Sequence, residues 1–119
     1  MGKSTTIINH LNTDRVTEIN ISNRKYIAFT MMYRNLIVID VTDKEKPILL
    51  ANKNFKSREA LSNEFDKIII SASNAIDNDD FVSNLDTYID LNDSSIKNDT
   101  TKEIISVYKI IMEDYNLGG

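Results

Sequence analysis

The sequence has no cysteine and no tryptophan, one proline, one histidine and three glycines among 119 residues. Without cysteine there are no disulfides and no thiolate metal sites, which predicts a reducing, cytoplasmic setting. His10, the single histidine, cannot build a histidine-rich zinc site by itself. The glycines are Gly2, Gly118 and Gly119, so no glycine-rich phosphate loop lies inside the chain. Gly2-Lys3-Ser4-Thr5-Thr6 has the end of such a loop, but only Met1 stands where a strand, a first glycine and a spacer must come first. No apolar run approaches the roughly 18 residues that span a bilayer, and the N-terminus lacks a signal peptide's apolar core. The expectation is a protein with no membrane association and no cofactor.

What is present is a change of charge sign near residue 56. Residues 1–56 hold nine Lys/Arg against five Asp/Glu, while residues 57–119 hold five against thirteen. The hydrophobic rhythm changes at the same place, from period two to spacings of three and four, so a mildly basic sheet precedes an acidic helical layer. Eighteen isoleucines and a hydrophobic share of 41% are enough for a packed interior. A chain of this length fits one domain, residues 1–119, able to bury roughly two thirds of its unfolded surface. The heavy use of Ile, Asn, Lys and Asp points to an AT-rich genome, of the kind found in low-GC bacteria and their phages.

Residues 1–14 admit two readings, an arm or a short strand at Ile7 and Ile8. Val16 to Ile21 alternates apolar and polar, the mark of a half-buried strand, and Ser22-Asn23-Arg24 supplies a turn. Lys25 to Tyr33 is a second strand with apolar groups on both faces. Arg34-Asn35 predicts a tight hairpin, with positive φ at the asparagine, into a third, central strand from Leu36 to Val41. Pro47 opens a fourth strand from Ile48 to Phe55, where its missing N–H costs least. Short connections make this an antiparallel meander.

Ser57 caps a predicted helix to about Ile76, with Leu61, Phe65, Ile68, Ile69, Ala72 and Ile76 on its apolar stripe and Ile68 to Ile70 near the core centre. A second helix, capped by Asp79, carries Phe81, Val82, Leu85, Tyr88 and Ile89. Residues 90–100 read as a polar loop, and Thr100 with Glu103 forms a capping box for a third helix bearing Ile104, Val107, Tyr108, Ile111, Met112 and Tyr115. The fold class is therefore α+β: a four-stranded antiparallel meander followed by three helices packed on one face.

Two surfaces are candidates for function. The first is acidic, with Glu64, Asp77, Asp79, Asp80, Asp86 and Asp90 on the helical half, a field that attracts a partner with a basic surface and repels nucleic acid. The second is the set Arg24, Lys25, Arg34, Lys53 and Lys56 at strand ends and turns around Tyr26, Phe29 and Tyr33, a combination suited to phosphates and stacked bases. Edge lysines also protect a sheet from edge-to-edge pairing. Asp90-Leu91-Asn92-Asp93-Ser94 has alternating oxygen ligands like a calcium loop, but Ser95 replaces the required glycine and Thr101 the bidentate glutamate. His10 has no nucleophile or orienting acid tied to it.

The strands followed by Phe55-Lys56-Ser57-Arg58-Glu59-Ala60 resemble the three-stranded sheet plus helix of phage-integrase arm-binding domains, with one spacer missing between Ser57 and Glu59. That resemblance implies nucleic-acid binding, and the acidic second half departs from it. The favoured expectation is a small, acidic, non-enzymatic interaction protein, encoded by a phage or mobile element, that inhibits a host nucleic-acid-handling or defence protein through its acidic helical face. The alternative is a nucleic-acid-binding accessory or regulatory module that uses the basic sheet.

Overall fold

A computed structural model describes residues 6–10, 16–31, 34–83, 85, 89–90 and 99–114. Its elements run β1 (Thr6–His10), β2 (Val16–Ile21), β3 (Arg24–Met31), β4 (Asn35–Asp40), β5 (Ile48–Asn54), α1 (Arg58–Asn74), α2 (Asn78–Val82), β6 (Ile89–Asp90) and α3 (Asp99–Asp114). The architecture is α+β, an antiparallel meander followed by helices. The sheet is wider than four strands, with spatial order β1-β2-β3-β4-β5-β6. The added strands are the edges: β1 pairs with β2 from Thr6↔Ile21 to His10↔Thr17, and β6 pairs with β5 through Leu49↔Ile89 and Ile48↔Asp90.

The helices do not all pack on one face, because alternate residues of β3 and β4 are apolar in both directions. Tyr26, Ala28, Leu36 and Val38 point to one side, where Leu61, Phe65, Ile68 and Ala72 of α1 and Phe81 of α2 cover them. Ile27, Phe29, Ile37 and Ile39 point to the other, where Ile104, Tyr108 and Ile111 of α3 cover them. Leaving either set in water would forfeit about 1.5–3 kcal/mol per large side chain. A register shift between Val38 and Ile39 gives Ala51 to Val38 and Leu49 to Ile39. Leu50 is the extra residue, and both Leu50 and Ala51 join the layer beneath α1.

Several local expectations shift. The connection from β3 to β4 is three residues long, and positive φ falls on Arg34 (65°) rather than Asn35. Three-residue hairpin loops place their left-handed residue last, as here. Helix α1 starts after Ser57, whose Oγ accepts from the Ala60 N–H at 3.1 Å, but it ends at Asn74 because Ala75 is extended. Ile76 is therefore outside the helix and 57% exposed, and Ile70, two positions from buried Ile68 and so on the far side of the helix, is 58% exposed.

The second helix is a single turn whose cap is Asp77, not Asp79, and Ile89 belongs to β6. Helix α3 begins at Asp99, one residue ahead of the expected cap. Tyr33, Tyr88, Tyr115 and residues 91–98, most of the expected polar loop, lie outside the described residues. Among the described residues no helix is long and apolar enough to cross a membrane.

Ile104 is fully buried on the α3 side of the sheet. Ile104→Ala is expected to lower stability by about 2–5 kcal/mol, read as a drop in the urea midpoint at unchanged slope. A loss under about 0.5 kcal/mol would mean that α3 does not cover this face.

Candidate functional site

The acidic candidates separate into used and unused charges. Glu64, midway along α1, pairs with Lys53 of β5 at 4.0 Å, both side chains about a quarter exposed. It ties the helix to the sheet by an ion pair of modest strength. Asp77, Asp79 and Asp80 are brought together where the chain leaves α1. Asp77 Oδ1 accepts from the Asp80 N–H at 2.9 Å, and Asp80 Oδ2 accepts from the Ile76 N–H at 3.0 Å. Asp77 is thus the N-cap of α2, and Asp80 bonds back to the N–H of Ile76, the residue ahead of the cap. Asp79 is exposed, and among the described residues its carboxylate has no hydrogen bond or ion pair. Asp90 lies in β6 opposite Ile48, and Asp86 lies outside the described residues.

The sheet fixes this corner. Tyr26, 1% exposed, donates its hydroxyl proton to Asn78 Oδ1 at 2.7 Å and sets its ring against Phe81, centroids 5.0 Å apart. Asn78 and Phe81 hold α2 on the end of the sheet, so the outward positions Ile76 and Asp79 are held with it. Burial raises the Tyr26 pKa well above tyrosine's ordinary range, the Asp40 carboxylate adds to it, the Arg24 guanidinium opposes, and Asp79 contributes a smaller rise. Tyr108 on α3, with Lys44 O 3.5 Å from its hydroxyl, is also raised by burial.

Most of the basic candidates are paired rather than gathered. Arg24 bonds Asp40 at 3.2 Å, Lys25 lies 3.7 Å from Glu18, and Lys53 pairs with Glu64. Arg34 is different: its Nε donates to Phe55 O at 2.9 Å, and Lys56 is exposed beside it in sequence. Among the described residues no three His, Asp or Glu side chains are grouped to hold a metal ion.

Two features of the α1–α2 corner escaped sequence reasoning. Ile76 was expected on the buried stripe, and the signal against it was the Asn74-Ala75 break just before it. Ile70 carries the helical phase of an outward position. Chemically the corner offers negative charge and hydrogen-bond acceptors beside exposed aliphatic surface. Comparison with family models, curated proteins and solved structures finds no match for the chain.

Tyr26→Phe is expected to cost about 1 kcal/mol at neutral pH by leaving Asn78 without its donor. The folded state holds the tyrosine proton more tightly than the unfolded chain, whose tyrosines titrate near 10. Stability is therefore full below about pH 10 and falls above it. In denaturant titrations across alkaline pH the Tyr26→Phe protein should fall less steeply than the native chain. Parallel curves would show that Tyr26 does not carry this dependence.

Proposed function

We propose that this chain is a non-enzymatic interaction protein that docks on a basic protein surface through the α1–α2 corner. The observation that carries the reading is the exposure of Ile76 immediately before Asp77, Asp79 and Asp80. Scattered exposed aliphatics are ordinary on a protein surface. Here the aliphatic lies beside Asp79, whose carboxylate makes no hydrogen bond or ion pair among the described residues, on a segment held to the sheet by Tyr26 and Phe81. A partner covering Ile76 gains about 25 cal/mol per Å² of apolar area removed from water. The carboxylates contribute mainly by speeding encounter with a positive surface.

A groove shaped to bind nucleic acid is such a surface. The particular form of the proposal is occlusion of a host nucleic-acid-handling or defence protein by a phage- or mobile-element-encoded inhibitor in the host cytoplasm. It is supported by the acidic helical half and the AT-rich composition. The reading in which the whole sheet grips nucleic acid draws less support, because Arg24, Lys25 and Lys53 already face carboxylates.

The test places a photo-crosslinking residue at position 76, captures the partner in host cells, and measures its binding to native and variant chains. Asp79→Lys, which removes no described hydrogen bond, should lower the association rate about tenfold or more at low salt and less at high salt. Ile76→Asp should chiefly raise the dissociation rate. Unchanged kinetics for both variants would sink the proposal.

A further inference from the structure

The two edges of the sheet are built differently. At one edge, β5 follows Pro47, carries Lys53, is bulged at Leu50 and ends the sheet with only the two-residue β6 beyond it. Prolines, lysines, bulges and short outermost strands are the devices that keep a sheet from pairing with another chain. Strand β1, at the other edge, has none of them. Its residues Thr6–His10 include no Lys, Arg, Asp, Glu, Pro or Gly, and its register with β2 runs unbroken from Thr6↔Ile21 to His10↔Thr17. Among the described residues β1 pairs on one side only. Its outer side therefore presents backbone N–H and C=O groups at alternate residues, on a strand whose Thr and Ile favour extended structure.

We infer that β1 is a self-association edge, at which a second copy of this chain adds its own β1 antiparallel about a two-fold axis at Ile8. Pairing in this register sets Ile8 against Ile8 of the second copy, Ile7 against Asn9 and Thr6 against His10, so no like charges meet. An axis normal to the sheet keeps the α1 layers of both copies on one side and the α3 layers on the other. The apolar layer continues across the join as well. Thr6 and Ile8 stand opposite Ile21 and Ile19, both fully buried beneath α1, and α1 itself reaches β1. A strand of another protein would meet the same backbone groups, but the two-fold copy matches this alternation of faces by symmetry.

The seam is about 17 Å long, five residues at strand rise, so association depends on concentration. It does not rest on the α1–α2 corner binding a protein, and its test involves no partner.

The test is sedimentation of the native chain over a concentration series, with hydrogen exchange measured on the same samples. The mass should rise with concentration from the 13.6 kDa of one chain to a limit of twice that value. Amides of residues 6–10 should gain protection as the mass rises, while those of residues 50–54 at the other edge do not. Asn9→Lys places its charge opposite Glu18 within the chain, a pairing the fold accepts. Across the axis it sets two like charges on a diagonal roughly 7–8 Å apart, and it should raise the dissociation constant about fivefold or more. The exchange readout needs no variant. A single 13.6 kDa species at every concentration would overturn the assignment. So would growth beyond two copies, protection of residues 50–54 in place of 6–10, or association that Asn9→Lys leaves unchanged.

Discussion

Strands β3 and β4 are apolar on both faces, and the rest of the structure follows from having to cover two sides of one sheet. A meander with a single buried face needs one helical layer. Here Ile27, Phe29, Ile37 and Ile39 would face water if α1 and α2 were the only cover. Helix α3 supplies the second layer, which places the sheet between helices and leaves function to the helix surfaces, the sheet edges and the corners between elements.

That arrangement also decides which charges are free to act. The capping role of Asp77, the bond of Asp80 to the Ile76 N–H and the pairing of Glu64 with Lys53 are structural uses of carboxylates that sequence alone groups with Asp79. Removing the Asp77 cap would cost about 1 kcal/mol whether or not a partner exists. Their presence therefore says little about binding. Asp79 adds a favourable charge to the first turn of α2, so Ile76 is the informative residue of this corner, because its exposure gains the fold nothing.

Much of the fold was legible. Period-two alternation located β2, apolar runs bounded by turn residues located β3 to β5, and the Ser57 cap and the Leu61-Phe65-Ile68-Ala72 stripe located α1. The two-faced apolar pattern of β3 was visible as well, and taken to its consequence it already required cover on both sides. Other features were not legible for physical reasons. Strand β6 is two residues long and owes its existence to the open edge of β5 rather than to its own composition. The placement of positive φ depends on hairpin length, which shifts by one residue without changing the hydrophobic pattern. With no internal glycine available, Ser22 and Arg34 take the left-handed positions. The separation of paired from unpaired basic residues depends on contacts between elements, such as Arg24 with Asp40, that spacing in sequence does not encode.

Sorting charges by what the fold gains from them gives opposite answers at the two ends of α1. At its C-terminal end, Asp77 caps α2 and Asp79 and Asp80 stand in its first turn, where negative charge is favourable, so that cluster would be present in a protein with no partner. At its N-terminal end the helix dipole disfavours Lys56 and Arg58, while Arg34 is held in its left-handed hairpin position by two bonds to Phe55. A carboxylate-rich corner that stabilises its own helix is weak evidence for a ligand. The acidic corner regains weight only through Ile76, whose exposure is likewise unfavourable to the isolated chain. At that corner exposed apolar surface therefore says more about binding than charge density does.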